Sequence, residues 1–325
     1  MLETKTPVLV SIVVPVYNEA ENIVAFHQKI CEVMAKTPYS FELLFVDDGS
    51  KDASVVLLDQ ICRQDERVRM LVLSRNFGHQ TALTCGMDHA AGDVVITMDG
   101  DFQHPPELLP VLLKHWEDGF EVVQTVRLST EDASFFKKWT SAMFYRVMNA
   151  MSAVKIVEGG SDFRLLDRKA VRAFCLFRER ARFIRGMVSS MGFKSVQLEF
   201  VAPPRRAGVS KFSVQKMLTF ALDGITAFSR LPLRFAFYAG IICGLISFGL
   251  TFHVLYVKML TAEAVPGWAT VAASILFLGS LQLIGIGIVG EYVGRIFEEV
   301  KQRPLYFVRL DSKKIEKKEI SMQDF

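Results

Sequence analysis

The sequence predicts an α/β fold, a doubly wound parallel sheet followed by membrane-directed helices, and three observations carry that expectation. Runs rich in β-branched residues alternate with helix-periodic segments through residues 8–101. Polar and acidic residues stand where those runs end. Two stretches of 23 residues, 235–257 and 268–290, contain no Asp, Glu, Lys or Arg.

The first run, VLVSIVVPVYN, is stopped by Pro15 and Asn18 and reads as a buried strand entering a loop. EAENIVAFHQKICEVMAK follows, with Ile23, Phe26, Ile30, Val33 and Met34 at helical spacing. FELLFVDDGS is a second strand ending in acids and a glycine turn, SVVLLDQICRQ a second helix and VRMLVLSRN a third strand. HQTALTCGMDHAAG is a third helix and VVITMDGD a fourth strand. Such alternation predicts a parallel sheet covered on both faces, with ligands beyond the carboxyl ends of its strands. Tyr17, Asn18 and Glu19, then Asp47 and Asp48, then Arg75 and Asn76, then Asp99 and Asp101 stand at those four ends. A helix is expected over residues 135–153, running toward EGGSDFRLLDR as a loop.

Further on, PPRRAGVSKFS breaks the pattern, and SVQKMLTFALDGITAFSR carries an apolar stripe directly before the first uncharged stretch, as an interfacial helix would. Each 23-residue stretch is long enough to span a bilayer. Arg230 and Arg234 precede the pair and Arg295, Lys301 and Arg303 follow it, so both ends of the hairpin are expected in the cytoplasm. MLETKTP lacks a basic region leading into an apolar one, so the N-terminus does not read as a secretory signal and the first 210 or so residues are expected to be cytosolic. The expected organisation is a catalytic domain over 1–212, an interfacial helix over 213–230, a transmembrane hairpin over 231–296 and a charged, partly disordered cytoplasmic tail over 297–325. A hydrophobic share of 50% and a mean hydropathy of +0.26 fit a chain that meets a lipid bilayer. The net charge of +3 suggests no nucleic-acid groove. The five cysteines are scattered without a C-x-x-C pair and read as reduced core residues.

Asp99 and Asp101, one residue apart at the mouth of a buried strand and followed by Gln103, suit a hard divalent cation such as Mg²⁺ or Mn²⁺. The bland alternative is a turn in which Asp99 caps the next helix. No Walker P-loop is present, and the G-x-G-x-x-G of Gly285, Gly287 and Gly290 lies inside the second apolar stretch, where small residues allow helices to approach and a homo-oligomer to form.

In order and spacing, SIVVPVYNEAENI, LLFVDDGSKD, LSRNFGHQTAL, MDGDFQHPPELLP, GGSDFRLLDR and RRAGVSKF resemble the motifs of family 2 glycosyltransferases with the GT-A fold, in the polyprenyl-phosphate branch. The resemblance covers about residues 8–215, and the two apolar stretches are similar to the hairpin of bacterial members. It implies inverting transfer of one sugar from a nucleotide sugar, UDP-glucose first, to a polyprenyl phosphate at the cytoplasmic face of the inner membrane. Pro15, Tyr17, Glu19, Asp47, Asp48 and Asn76 would hold the nucleotide, and Asp99, Asp101 and Gln103 the metal. Arg127, Arg205 and Lys211 would guide the acceptor phosphate. Asp162 would bind a sugar hydroxyl or assist the attack, with a structural salt bridge to Arg164 as the alternative. Where many relatives have a second arginine near Arg127 this chain has Thr130, so Lys137 or Lys138 stands in, and Arg206 is an extra cation beside Arg205. Rival expectations are a metal-dependent lipid-phosphate phosphohydrolase, a processive polysaccharide synthase, for which the Q-x-x-R-W motif is missing, and a scaffold with a decayed site.

Overall fold

The computed structural model describes residues 8–128, 160–201, 203, 231–260 and 267–314. The chain divides into two compact units, Met1–Ser213 with Pro304–Phe325, and Val214–Arg303. The first contains an eight-stranded sheet of order β7-β5-β6-β4-β1-β2-β3-β8. Its first half follows the predicted alternation: β1 (Leu9–Val16), α1 (Ala20–Met34), β2 (Ser40–Asp47), α2 (Ser54–Gln64), β3 (Val68–Leu73), α3 (His79–His89) and β4 (Val94–Thr97). β1 pairs in parallel with β2 and β4, and β2 with β3, which brings four carboxyl ends to one edge.

The strands are buried on both faces, and their alternate residues serve separate apolar layers. Ile12 and Val14 join α1 in one, beside Phe26, Ile30 and Met34, while Val13 joins α3 in the other, beside Leu83 and Met87. The second layer is close-packed: a Cβ on Gly86 of α3 would lie 2.1 Å from Val13 Cγ1, so this position admits only glycine without a shift.

The sheet departs from the predicted wholly parallel one. GGSDFRLLDR, expected as a loop, contains the whole of β6 (Gly160–Asp167), antiparallel to both β4 and β5 (Val122–Leu128). The apolar Phe163, Leu165 and Leu166 bury here, which a loop would not achieve. α4 (Leu109–Glu117), α5 (Arg168–Leu176) and α6 (Ile184–Ser190) cover the sheet, and β7 (Ser195–Val201) forms one edge. The other edge is β8 (Val308–Asp311), antiparallel to β3 and drawn from the segment expected as a charged tail. The helix expected over 135–153 and the interfacial helix over 213–230 lie outside the described residues.

In the second unit, α7 (Leu231–Leu260) and α8 (Trp268–Val300) pack against each other. Among the described residues one stretch, Phe277–Val300, is long and apolar enough to cross a bilayer, and α7 holds a shorter apolar stretch, Ala236–Ile246. The expected pair of spans is therefore supported at the second, and the first, over 235–257, is not confirmed. Phe237, Leu245 and Phe252 on α7 and Ile275, Leu283 and Ile286 on α8 are exposed, an apolar surface beyond what water-facing helices carry. Gly285, Gly287 and Gly290 lie within α8, not at a strand-to-helix turn.

Candidate active site

The four strand ends open on one cleft of about 280 Å³. Pro15, Tyr17 and Glu19 from the first loop, Asp48 from the second, Asn76 from the third and Asp99 with Asp101 from the fourth all line it. The loops are locked to one another by short polar contacts. Asn18 adopts φ 53°, a left-handed conformation that asparagine tolerates, and its Oδ1 accepts from Lys51 N at 2.8 Å while its own N–H donates to Ser50 Oγ at 2.9 Å. Gly49 has φ +70°, and a Cβ there would lie 2.7 Å from the carbonyl carbon of Arg75, so the second and third loops meet only because position 49 is glycine. The Asp48 carboxylate accepts from Phe77 N at 2.6 Å and Gly78 N at 2.9 Å, which fixes the entry to α3. Burial pushes its pKa up against those two bonds.

The fourth loop turns sharply, with Phe102 at φ 62° and its ring edge-on to Phe26 at 5.4 Å. Asp101 Oδ1 accepts from the backbone N–H of Gln103 at 3.0 Å. The backbone N–H of Asp99 donates to His104 Nδ1 at 2.8 Å, so that nitrogen is unprotonated and Nε2, 2.7 Å from Ser161 Oγ, carries the hydrogen. His104 is buried and stacked on Phe163, which suits a neutral ring that positions the Asp99 backbone. His79 Nε2 lies 2.7 Å from Asp99 Oδ1. Burial would lower the His79 pKa, but the charge and hydrogen bond of Asp99 outweigh it and raise it to about 9. Asp99 answers in kind: burial opposes its ionisation, and the charges of His79 and Arg185, with the hydrogen bond from His79, hold it well below the usual carboxylate range. Asp99 and Asp101 thus form a pair of hard oxygen donors in a field strong enough to keep an imidazolium protonated, and such a donor set fits Mg²⁺ or Mn²⁺.

Asp162, in β6, sits in a web of cations. Its Oδ1 is 2.6 Å from Arg164 Nη2 and 3.3 Å from Arg185 Nε, and its Oδ2 accepts from Gln80 Nε2 at 3.1 Å. Gln80 is tied in turn to the start of α6, where its Oε1 accepts from Ile184 N at 3.2 Å. Burial works against the Asp162 charge, but Arg185 and Arg164 prevail and depress its pKa. Arg164 is 1% exposed, its Nε and Nη1 have no hydrogen-bond partner among the described residues, and burial brings its pKa down to about 10. The salt bridge weighed as the alternative for Asp162 is therefore present, and a second arginine joins it.

Not every expected residue lines the cleft. Asp47 is fully buried, caps the Gly49–Ser50 turn with Oδ2, and lines a second cavity of about 480 Å³ that shares Tyr17 and Asn76 with the first. Gln103 meets Asp101 through its backbone. Arg127 is exposed at the end of β5, and Arg205, Lys211, Thr130, Lys137, Lys138 and Arg206 lie outside the described residues. Sequence reasoning sets His79 aside as a catalytic residue although it lies inside a motif, and passes over Gln80 and Arg185. His79 and Gln80 follow Gly78 at the first turn of α3, beside a strand end, which was a usable signal, whereas nothing in FIRGM marked Arg185. The cysteines are free. The cluster of His27, Cys31 and Asp65 is already served by the Arg67 guanidinium, 2.8 Å from Asp65 Oδ2.

A mixed α/β sheet whose loops bring acids from several strand ends to one polar cleft is the architecture of an enzyme. Residues 11–174 match Glycosyl transferase family 2, and the chain belongs to that family: it is a glycosyltransferase with a GT-A-like fold. It is 44% identical over 299 residues to the uncharacterized glycosyltransferase YkcC of Bacillus subtilis (strain 168), covering 92% of this chain and 93% of that one. It is 40% identical over 300 residues to the SfII prophage-derived bactoprenol glucosyl transferase of Shigella flexneri, covering 92% and 97%. A prophage bactoprenol glucosyl transferase homolog of Escherichia coli (strain K12) is 38% identical over 300 residues, covering 92% and 98%.

Proposed function

We propose that this glycosyltransferase moves a single sugar, with inversion, from a nucleotide sugar to a polyprenyl phosphate on the cytoplasmic face of the plasma membrane. The observation that carries the reading is the convergence of four strand ends on one cleft that Asp99 and Asp101 both line. The bactoprenol glucosyl transferases similar over more than nine tenths of this chain support the lipid acceptor and make UDP-glucose the first donor to test.

Asp99 and Asp101 would hold Mg²⁺ or Mn²⁺, whose charge would offset that of the departing nucleoside diphosphate. Tyr17, Glu19, Asp48 and Asn76 bind the nucleotide. The acceptor phosphate is anionic at neutral pH, so its oxygen attacks the anomeric carbon without a strong base while the bond to the nucleoside diphosphate breaks. Arg127, Arg205 and Lys211 guide that phosphate, and Asp162 orients the sugar. α7 and α8 span the bilayer as a hairpin, and the small residues of α8 permit a homo-oligomer.

The test is transfer from radiolabelled UDP-glucose, UDP-linked amino sugars and GDP-mannose to undecaprenyl phosphate in detergent with Mg²⁺ or Mn²⁺. Label from one donor in the organic phase is expected. Release of inorganic phosphate from the lipid without labelled product would instead identify a phosphohydrolase, and a polymeric product a processive synthase.

A further inference from the structure

The segment that returns after α8 is fastened to the catalytic unit at three places. Tyr306 Oη donates to Asp88 Oδ2 at 2.8 Å, Ser74 N donates to Phe307 O at 2.9 Å, and Asp311 takes a two-pronged bond from Arg69, Nε to Oδ1 at 3.0 Å and Nη2 to Oδ2 at 2.9 Å. Between the last two fastenings the ladder slips: Val72 pairs with Leu310, but Leu73 pairs with Val308. Arg309 is the extra residue of this bulge, and bulges re-aim side chains. It lines the 480 Å³ cavity beside the cleft.

That cavity has the chemistry of a nucleobase pocket. Val55, Val72 and Leu73 give it an apolar wall. Asp47, on its floor, is fully buried with Oδ1 lacking a hydrogen-bond partner among the described residues. A carboxylate oxygen accepts an N–H, and a guanidinium such as that of Arg309, which lines the cavity with Lys51 and Arg75, donates to a carbonyl oxygen. An N–H beside a C=O is the edge that a uracil or guanine base presents. Tyr17 and Asn76 border both cavities, so a diphosphate beside Asp99 and Asp101 would place its nucleoside here.

We propose that Arg309, delivered by the strand that follows the membrane-directed helices, is a donor-binding residue that contacts a carbonyl oxygen of the nucleobase. This rests on the nucleotide-sugar reading above and adds to it a contact from a segment that the sequence marked as tail.

The experiment uses the full chain in detergent and measures binding of UDP, GDP and pyrophosphate by calorimetry, alongside donor KM and kcat. Arg309→Ala is expected to weaken binding of the nucleotide that the wild type prefers by about tenfold, the size of one lost charge-assisted hydrogen bond. Pyrophosphate binding, kcat and acceptor KM should stay within twofold, and Arg309→Lys should recover part of the loss. Unchanged nucleotide binding, or an equal loss for pyrophosphate, would overturn the assignment. If the alanine variant does not accumulate, Arg309→Gln against Arg309→Lys gives the same comparison. A wild-type chain that binds neither UDP nor GDP would instead sink the nucleotide-sugar reading itself.

Discussion

Replacing Asp162 by asparagine tests whether this carboxylate serves the fold, the sugar, or both. Arg164 is 1% exposed and owes its charge compensation mainly to the 2.6 Å contact with Asp162 Oδ1. Removing one partner of a buried ion pair costs about 3–5 kcal/mol, because the other charge is left without an answer. The asparagine oxygen still accepts one bond, and Arg185 is more exposed, so the lower end applies, about 3 kcal/mol. At about 2–4 °C per kcal/mol for a domain of this size, the midpoint of thermal unfolding should fall by roughly 10 °C. In Asp162→Asn with Arg164→Met neither charge of the pair remains, and at least half of the loss should return, since an apolar replacement of a buried pair is often tolerated. Tm of the catalytic unit, read in detergent for both single variants and the double, closes the cycle. An Asp162→Asn protein that melts within a degree of wild type, or a double variant less stable than Asp162→Asn, would refute the buried-charge account. Activity then separates the roles: a stable double variant with transfer reduced more than a hundredfold places Asp162 on the substrate, and full transfer confines it to the fold.

Chelation with EDTA should abolish transfer and added Mg²⁺ or Mn²⁺ restore it, while Asp101→Asn should lose activity at any metal concentration; full turnover in excess chelator would remove the cation from the scheme. Gly49→Ala forces a side chain into φ +70° and against the Arg75 backbone, so the variant should lose at least about 2 kcal/mol of stability and most nucleotide binding, and unchanged denaturant midpoints would contradict the close approach of the two loops. Acid should release the returning segment. Burial raises the Asp311 pKa, but Arg69 and the backbone N–H of Lys313 lower it further, so the folded value is depressed. A depressed carboxylate stabilises above its unfolded pKa, about 3.9, and that contribution is lost as pH falls through the folded value. Hydrogen exchange at β3 and β8 should therefore accelerate below about pH 4, and protection that stays flat to pH 3 would count against the pair.

The features that a single sequence displayed best were those set by local periodicity. The apolar stripe of α1, from Ile23 to Met34, and the β-branched runs of β1 to β4 each declare their burial within a few residues, and the acids at their ends are adjacent in sequence to the strands that position them. β6 was missed because its opening glycines signal a turn, while its strand character comes from pairing with β4 some 70 positions earlier. β8 is four residues long and followed by lysines, so nothing local separates it from a solvated tail. The same limit applied to the site. Asp48 and Asp99 were legible as acids at strand ends, but Arg185 reaches Asp162 only through the docking of α6, and Arg309 reaches Asp47's cavity only through a bulge in a pairing between distant segments.

The closure of the sheet by β8 also fixes an order of assembly. Arg69 and Asp311 are 242 positions apart, and everything in α7 and α8 is synthesised between them. During translation β3 must wait as an open edge, with its N–H and C=O groups available to any passing strand, until the apolar helices have emerged and been disposed of. The catalytic unit is thus completed last, by the residues that follow the two apolar helices, so the finished sheet, with Arg309 on its edge, forms only on a chain whose helices have already been made.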